Sequence, residues 1–585
     1  MSLVLGKHVR SPPRSVVSAR DDFDPAEGGA EAFEARDDDD VDSASSDDDA
    51  VHTLPASAPK ALRRMFSLLA RGESGHADLY ARAYRDTVHA VSLDAKTDSV
   101  WVSLDNNMWA QQEMRQWRGQ VHDTLSTEIV RITKHIKGEV RMHRIVDPKG
   151  KGIAVKTWSA ALRKMEAASN VISSDRGVNA VCRLVFDRLR NDAFMGVLNA
   201  KRSDISFQNG ILDLKTLELR PRTQADFCSY VLPYDYDPEA STSAIREYVH
   251  SLYEDPVSEK ALQTLIGYWM TGQTSEKAFW QVSAPPNSGK TTLMNALLST
   301  AGEYFSKGVP ISEMSTVSEF EDGFARVLRS ALPPRAILFD EIKSNVTLKE
   351  DMINQLTDGK ETQGARFRKK GVDSVAVLHK YHSKLIFISN HALLFPLGAD
   401  GTSIRSRGIG LRFQFPNATE FNRANPYHRP QNSELCAFLE SPAARPGIMR
   451  WIVEGSKAFY DGEKLTCPLF DTSTFSLQVR GNPYLEWLSK KYFPTGEIHN
   501  PVHRVITDVL VKEYIADKTS PLTNATAHKG LVALLESMSD YVSSKPWEQY
   551  GLEVIGYTGL RLRKPLDPEW EVARESARLK AATYV

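Results

Sequence analysis

Apolar residues in the middle of the chain form short runs that end in polar residues. The first run, Phe279 to Ser283, precedes a loop, and leucines then recur at helical spacing. Two later runs, Arg335 to Glu341 and Lys384 to Asn390, have the same form. Because buried parallel strands read as continuous apolar runs, this pattern predicts an α/β fold with a core built on a parallel sheet.

The pattern on either side of this core predicts further regions. Upstream, helical patches and hairpins predict a mixed α+β domain, and a pair of helices between Ser241 and Thr271 leads into the core. Downstream, helices followed by a β-rich ending are typical of a small winged-helix-like module. We therefore expect five parts: an acidic tail (1–58), the upstream domain (59–238), the core with its preceding helices (239–425), a C-terminal helical region (426–562) and a second tail (563–585).

Local signals place individual elements in these flanking regions. Hairpins are expected at Ser99 to Trp109 and at Ile205 to Leu214, where Asn209-Gly210 forms the predicted turn. Helical spacing is found at residues 60–69, 76–91, 115–137, 158–168, 178–194, 449–460, 483–493, 502–515 and 526–538, and β-rich sequence at 554–562.

The loop after the first apolar run contains the residues of a phosphate-binding loop. It reads Ser283-Ala-Pro-Pro-Asn-Ser-Gly-Lys-Thr-Thr292, between a predicted strand and a predicted helix. Backbone N–H groups at a helix N-terminus attract anions, so this loop suits ATP. Lys290 is expected to contact the β- and γ-phosphates, and the Thr291 hydroxyl to bind Mg²⁺. The alternative is a helix N-terminus with a chance Gly-Lys-Thr.

This loop departs from the usual pattern in two ways. Ala284 stands in the place of the first glycine, and Pro285 and Pro286 each lack an N–H group. The expected nucleotide-binding residues are therefore those with the remaining donors: Asn287, Ser288, Gly289, Lys290, Thr291 and Thr292.

Polar residues end the two later strands, and ligands bind at that edge of an open α/β sheet. Asp340 is expected to hold Mg²⁺, and Glu341 to orient and deprotonate the attacking water. Asn390 would bind the γ-phosphate or position the water. The alternative is that these are surface residues at strand ends.

A basic segment lies between these two strands. Cations beside one aromatic residue suit a nucleic acid backbone and a stacked base, although a solvated charged hairpin has the same composition. The expected DNA-binding residues are Arg366, Phe367, Arg368, Lys369 and Lys370. Further on, an arginine between Ser403 and Phe413 is a candidate finger, which would contact the γ-phosphate bound by a neighbouring subunit.

Composition narrows the class of protein. The chain has 585 residues and a net charge of −1, yet residues 21–50 are dominated by Asp and Glu, which predicts disorder there. The four cysteines are scattered, which argues against zinc and against a disulfide framework. No apolar run is long enough to predict a membrane span, and the N-terminus does not have the pattern of a signal peptide.

The order of these elements resembles the superfamily 3 helicases, above all the poxvirus-type nucleoside triphosphatase/primase–helicases of viruses, phages and plasmids. The resemblance covers roughly residues 95 to 562. Besides the phosphate-binding loop and Ser389-Asn390, four segments carry it: Phe207 to Leu214, Pro233 to Pro238, Leu265 to Gly272 and Arg450 to Gly455.

The resemblance implies an AAA+-like, ATP-driven replicative helicase that moves on single-stranded or forked DNA as a homo-hexamer. It places the finger at Arg407, six residues before Phe413, with Arg405 as the second choice, and it makes the basic segment the hairpin that tracks DNA in the pore. The N-terminus has no room for a full primase domain, so a separate primase or polymerase is a possible partner. A soluble protein inside the cell, in the host cytoplasm or nucleus for a virus, is expected.

Two other classes of function fit the same residues. One is an ATPase that remodels protein or packages a genome. The other is a non-enzymatic DNA-binding ring with a decayed nucleotide site, against which the intact Asp340-Glu341 pair argues.

Overall fold

A computed structural model provides the structure of the chain. It describes residues 54–94, 97–307, 334–340, 357, 366–369, 372–377, 383–390, 406–481, 483–495, 504–517, 524–536, 543–549, 552–558 and 560–564. The chain divides into two compact units, one containing residues up to 104 and 110–194, the other containing residues 105–109 and everything from 195 onwards. The boundary predicted after residue 238 lies inside the second unit.

The first unit is mainly helical. Its core is built on one long helix whose apolar side chains, from Trp117 to Val140, recur every three or four residues and are buried. Its elements are α1 (Lys60–Leu69), α2 (Glu73–Tyr84), β1 (Val88–Asp94), β2 (Thr97–Ser103), β3 (Trp109–Gln112), α3 (Met114–Val146), α4 (Ile153–Val171) and α5 (Asp175–Arg188).

One predicted helix in this unit is wrong over its second half. Helical spacing was expected from residue 76 to 91, but α2 ends at Tyr84 and β1 begins at Val88. The strand forms because Val88 and Ala90 pair with Val102 and Val100 of β2. The hairpin predicted at residues 99–109 is present in the sheet order β1-β2-β3, and α3 continues well beyond the predicted residue 137.

The second unit contains the remaining elements. Upstream of the parallel sheet lie α6 (Phe194–Val197), β4 (Asp204–Phe207), β5 (Gly210–Asp213), β6 (Leu219–Arg220), α7 (Ser243–Tyr253) and α8 (Pro256–Met270). The central part has β7 (Phe279–Ser283), α9 (Lys290–Ala301), β8 (Phe305–Lys307), β9 (Ala336–Phe339), β10 (Arg366–Lys369), β11 (Val372–Val377), β12 (Lys384–Ser389) and β13 (Ser406–Gly408). The C-terminal part has α10 (Ser433–Glu440), α11 (Arg445–Tyr460), α12 (Pro468–Gly481), α13 (Pro483–Lys491), β14 (Tyr492–Pro494), β15 (Arg504–Ile506), α14 (Thr507–Asp517), α15 (Asn524–Glu536), β16 (Ser543–Gln549), β17 (Leu552–Thr558) and β18 (Leu560–Leu562).

A five-stranded parallel sheet forms the centre of the second unit, in the order β13-β7-β12-β9-β8. Its three inner strands are the three apolar runs seen in the sequence, and β9 and β12 are buried along their whole length. The prediction of an α/β fold with a parallel sheet is confirmed.

The small sheet β4-β5-β6 shares its hydrophobic core with the parallel sheet. The Tyr304 hydroxyl accepts a hydrogen bond from the backbone N–H of Ser206, at 3.0 Å. The predicted hairpin at residues 205–214 is confirmed, but Phe207 pairs with Gly210, so its two-residue loop is Gln208-Asn209. The Asn209 side chain then both donates to and accepts from the backbone of Tyr236, each at 3.0 Å.

Helices α8 and α11 cross with their backbones in contact. A Cβ at Gly267 would lie 2.1 Å from the Gly455 carbonyl carbon, so no larger residue fits there. The Ser456 hydroxyl donates to the Gly267 carbonyl at 2.9 Å, and the Gln263 amide donates to the Trp451 carbonyl at 3.0 Å. Two segments that carried the family resemblance, 265–272 and 450–455, are thus the two sides of one crossing.

Two buried cations lie at the amino ends of β9 and β12. The Arg335 guanidinium donates to the carbonyl oxygens of Met270 at 2.8 Å, Asp204 at 2.6 Å and Lys201 at 3.2 Å. The Lys384 ammonium donates to the Thr271 carbonyl and lies 5.0 Å from the Tyr268 ring centroid. Both cations therefore bind carbonyl groups at or just beyond the C-terminal end of α8, where the helix dipole favours positive charge.

The C-terminal part has its own cluster of buried side chains, from Tyr484 to Leu560. The helix predicted for residues 502–515 begins later, at Thr507, because Arg504 to Ile506 form β15 and pair with β17. The helix predicted to reach residue 493 ends at Lys491, before β14.

Candidate functional site at the carboxyl edge of the sheet

Three neighbouring strands of the parallel sheet end together. Ser389 of β12 lies opposite Ser283 of β7, and Phe339 of β9 lies opposite Phe387 of β12. The residues that follow β9 and β12, Asp340 and Asn390, therefore lie at the same edge as the loop that follows β7. The sequence predicted this convergence from the strand ends, and the sheet order confirms it.

The loop 284–289 turns sharply into α9. Gly289 has a φ of +82°, and a Cβ there would lie 2.7 Å from the Tyr248 hydroxyl and 2.8 Å from a methyl carbon of Leu252. Glycine is therefore required both for the backbone angle and for the close approach. The Tyr248 hydroxyl donates to the Gly289 carbonyl at 2.8 Å, and the backbone N–H of Phe415 donates to the Asn287 carbonyl at 2.6 Å.

The loop and the start of α9 present a row of backbone donors. No described residue accepts a hydrogen bond from any of the six backbone N–H groups between Asn287 and Thr292. These are the residues that the sequence predicted as the nucleotide-binding set. Backbone donors gathered at a helix N-terminus make a site of positive potential, which is the environment an anion requires.

Lys290 connects the loop to the next strand. Its ammonium donates to the carbonyls of Ala284 at 2.7 Å and Pro285 at 2.9 Å, and to the side-chain oxygen of Asn390 at 2.9 Å. Burial lowers the pKa of Lys290, and the nearby charge of Asp340 acts in the opposite direction. Lys290, Asp340 and Asn390, although far apart in the sequence, are thus brought together as predicted.

Asp340 lies at the edge of this group and is partly exposed. One of its carboxylate oxygens is 4.0 Å from the Lys307 ammonium, a long ion pair that water and a competing cation can reach. Thr291 is exposed on the first turn of α9. Within the described residues there is no group of three or more His, Cys, Asp or Glu side chains that could hold a metal. A metal here would therefore take Asp340 and Thr291 together with non-protein ligands, and these hard oxygen donors suit Mg²⁺.

A cavity of about 320 Å³ adjoins the loop and the first turn of α9. Its other walls come from α7, from the irregular residues 415–432 and from the first turn of α10. Two aromatic rings and several amide side chains lie among the lining residues: Tyr248, Asn287, Phe415, Asn417, Gln431 and Asn432. The cavity thus offers an apolar ring and hydrogen-bonding groups beside the row of donors.

The remaining predicted site residues fall elsewhere. Arg407 is the exposed middle residue of β13, the edge strand, and pairs with Trp280 of β7. Arg366 to Lys369 form β10 of an antiparallel hairpin with β11, as their sequence predicted. Glu341, Lys370 and Arg405 lie outside the described residues.

Comparisons with known proteins extend this picture. Residues 77–253 match the family model described as D5 N terminal like. "Putative helicase L207/L206" of Acanthamoeba polyphaga mimivirus is 20% identical over 267 residues, which cover 45% of this chain and 27% of that protein. The chain thus spans about a quarter of the length of the curated relative that it matches.

Two solved structures of the NrS-1 C-terminal region are also similar, each at 8% identity. The match to the first covers 81% of this chain and 96% of the chain in that structure, with a TM-score of 0.37. The other, of residues 305–718, covers 56% of this chain and 79% of its own, with a TM-score of 0.34.

Residues 77–253 are thus similar to the D5 N-terminal region, and part of the chain is similar to a putative viral helicase. Both similarities agree with the resemblance to the viral primase–helicases that the motifs indicate. Among the helices that the structure describes, none is both long and apolar enough to cross a membrane.

Proposed function

We propose that this chain is an ATP-driven replicative DNA helicase that translocates on single-stranded DNA as a ring, with ATP bound between subunits. The observation that carries the proposal is the row of six backbone N–H groups from Asn287 to Thr292, from which no described residue accepts, beside Lys290 at an edge that also holds Asp340 and Asn390. A triphosphate is the ligand whose charge and length fit these donors best.

In this proposal each residue of the edge has one task. The backbone donors hold the phosphates, and Lys290 exchanges its bonds to the loop carbonyls for the β- and γ-phosphates. Thr291 and Asp340 hold Mg²⁺, which neutralises charge on the phosphate oxygens. Asn390 binds the γ-phosphate or positions the attacking water, and Glu341 takes the proton from that water. The nucleobase occupies the adjoining cavity and stacks on Phe415.

The cavity assignment predicts a selective effect. Phe415→Ala should weaken nucleotide binding about 10-fold, since base–aromatic stacking contributes about 1–3 kcal/mol. Titration with a fluorescent ATP analogue measures this. Inorganic triphosphate, which has no base, is the control, because its affinity should be the same for both proteins. Equal weakening of both ligands would place the base elsewhere.

Arg407 is proposed to act on the γ-phosphate bound by the neighbouring subunit. Its position on the exposed edge strand β13 supports a role between subunits, as does its exposure. A guanidinium in that position stabilises the charge of the transition state and contributes about 1000-fold or more to the rate. We expect Arg407→Ala to bind ATP but not hydrolyse it, whereas Arg405→Ala should retain hydrolysis; the reverse result would make Arg405 the finger.

Assembly and DNA binding complete the proposal. A head-to-tail interface must close into a ring, and a homo-hexamer is proposed, with the AAA+-like core at its centre and the C-terminal elements as winged-helix-like modules.

The residues proposed to contact the DNA strand are those in and next to the hairpin β10–β11: Arg366, Phe367, Arg368, Lys369 and Lys370. Replacing Lys369 and Lys370 by Ala should weaken binding to single-stranded DNA and reduce its salt dependence. Unchanged binding would make the hairpin an ordinary charged surface.

A forked-duplex assay tests the proposed function as a whole. With ATP and Mg²⁺ the protein should release phosphate and separate the strands, and a non-hydrolysable analogue should support neither. Phosphate release without strand separation would favour an ATPase that remodels protein or packages a genome. DNA binding without phosphate release would favour a non-enzymatic ring.

A further inference from the structure

The helical hairpin formed by α3 and α4 in the first unit ends in a strongly basic surface. Between residues 134 and 156 there are seven exposed cationic side chains, which we call the basic tip: Lys134, Lys137, Arg141, Arg144, Lys149, Lys151 and Lys156. None of them forms a side-chain hydrogen bond or an ion pair with any residue that the structure describes.

The carboxylates within this stretch are already engaged. Glu139 pairs with His143 at 3.7 Å, and Asp147 accepts a hydrogen bond from the backbone N–H of Gly152 at 2.5 Å. Elsewhere in the same unit cations are paired, as in Arg188 with Asp78 at 2.6 Å and Arg190 with Asp192 at 2.8 Å. The seven cations of the basic tip, in contrast to these two arginines, lie close together without an acidic partner among the described residues.

Four of the cations form a line along one face of α3. Lys134, Lys137, Arg141 and Arg144 are three or four residues apart, so they follow one another over about 15 Å of helix. Like charges at these spacings destabilise a helix. The line thus carries a cost in stability that no described intramolecular contact offsets.

Apolar side chains are exposed beside these charges. Ile145 is 69% exposed, and Val146 and Ile153, on either side of the connecting loop, are each 86% exposed. Lys137, Arg141 and Arg144 also line a shallow depression with Val140 and Ile145. A partner that supplies regularly spaced negative charge next to less polar surface fits this arrangement.

We propose that the basic tip binds the phosphate backbone of double-stranded DNA. Duplex DNA carries one negative charge per about 1.7 Å of its axis, so a segment as long as the line offers about nine phosphates to these cations. The exposed apolar residues lie where sugar and base edges would meet them. The proposed contact is separate from the hairpin β10–β11 and from the nucleotide site, and it does not depend on helicase activity.

A salt titration of DNA binding tests this proposal on the full chain without nucleotide. The probe is a fluorescein-labelled blunt duplex, followed by anisotropy. The variant combines Lys137→Ala, Arg141→Ala and Arg144→Ala. Since each phosphate contact contributes about −0.9 to the slope of log K against log salt, the slope should become shallower by about 2 to 3. The thermal midpoint of the variant should rise or stay unchanged, because like-charge repulsion is removed.

A matched control removes the same charge from the same unit. Arg115, Arg118 and Arg176 are exposed cations away from the tip, and their triple Ala variant should leave the slope unchanged. The charge-preserving variant Lys137→Arg, Arg141→Lys and Arg144→Lys should restore it. Equal loss in both Ala variants, or none in either, would overturn the proposal. Loss of binding to anionic phosphatidylserine vesicles but not to duplex would assign the tip to a membrane surface instead.

Discussion

The two ends of the parallel sheet place buried cations in opposite surroundings. At the amino end, Arg335 and Lys384 donate to fixed carbonyl groups at or next to the end of α8. At the carboxyl end, Lys290 lies beside six backbone N–H groups that no described residue accepts from. Acceptors from the protein surround the cations at both ends, but only at the carboxyl end do additional backbone N–H groups lie beside the cation without a described acceptor.

This difference separates a structural role from a ligand-binding role. A buried charge that the protein itself satisfies stabilises the fold, and its removal leaves acceptors without donors. A cation within a group of unsatisfied donors attracts an anion from outside. The comparison therefore predicts that substitutions at the amino end change the free energy of unfolding and that those at the carboxyl end change catalysis.

The largest expected effect is at the carboxyl end. Lys290→Met should lower the rate of ATP hydrolysis at least about 1000-fold, or about 4 kcal/mol in activation free energy, because the phosphates lose their closest side-chain cation. Its stability should change by only about 1 kcal/mol, since two of the residues that accept from Lys290, Pro285 and Asn390, are exposed and water can replace the lost donor there. Phosphate release and urea unfolding measure the two quantities. A variant that unfolds easily would make Lys290 a structural cation like those at the other end.

The second-largest expected effect is a loss of stability, at the amino end of the sheet. Arg335→Met should lower the free energy of unfolding by about 3 kcal/mol, because one buried and two partly buried carbonyl groups lose their donor. Hydrolysis per folded molecule should be unchanged at a temperature where the variant is native. Arg335→Lys is the matched control and should recover only part of the loss, since an ammonium lacks the planar fork. Lost activity with normal stability would contradict the comparison.

The two ends of the sheet differ in how much of their structure the sequence predicts. The strand, loop and helix from Phe279 to Ala301 follow from local signals, namely an apolar run, Gly289 and helical spacing. The sequence also predicts that Asp340 and Asn390 lie at the ends of two strands. The neighbouring position of β7 and β12, which brings Lys290 to Asn390, depends on sheet order, and no local pattern encodes that order.

Other features needed partners distant in the chain. Val88 forms a strand because Val102 pairs with it, so its local helical spacing was misleading. The cavity wall at residues 415–432 has no helical or strand periodicity from which its structure could be predicted, although its composition is polar and aromatic. The apolar run predicts Lys384 as the first residue of a buried strand, but the strand alone does not predict its contact with the end of α8.

The smallest expected effect is a dependence of stability on pH that also distinguishes the two ends. Burial, together with the charges of Arg335 and Arg202, lowers the pKa of Lys384 well below its ordinary value of 10.5. At a pH between the pKa of Lys384 in the folded chain and its pKa in the unfolded chain, Lys384 is protonated in the unfolded chain but not in the folded chain. The free energy of unfolding therefore rises with pH up to 10.5 and is reduced at and below the folded pKa.

Urea unfolding at pH 7.5 and pH 9.5 tests this for the native chain and for Lys384→Met. The stability of the native chain relative to the variant should increase with pH, because Met has no proton to lose. Lys290→Met is the informative comparison, since Asp340 counteracts the effect of burial on the pKa of Lys290 and should make its pH dependence weaker. If the two lysines respond alike, their surroundings differ less than their contacts indicate. If only the stability contribution of Lys384 depends on pH, the carbonyl groups of α8 offset only part of the free-energy cost of burying its charge.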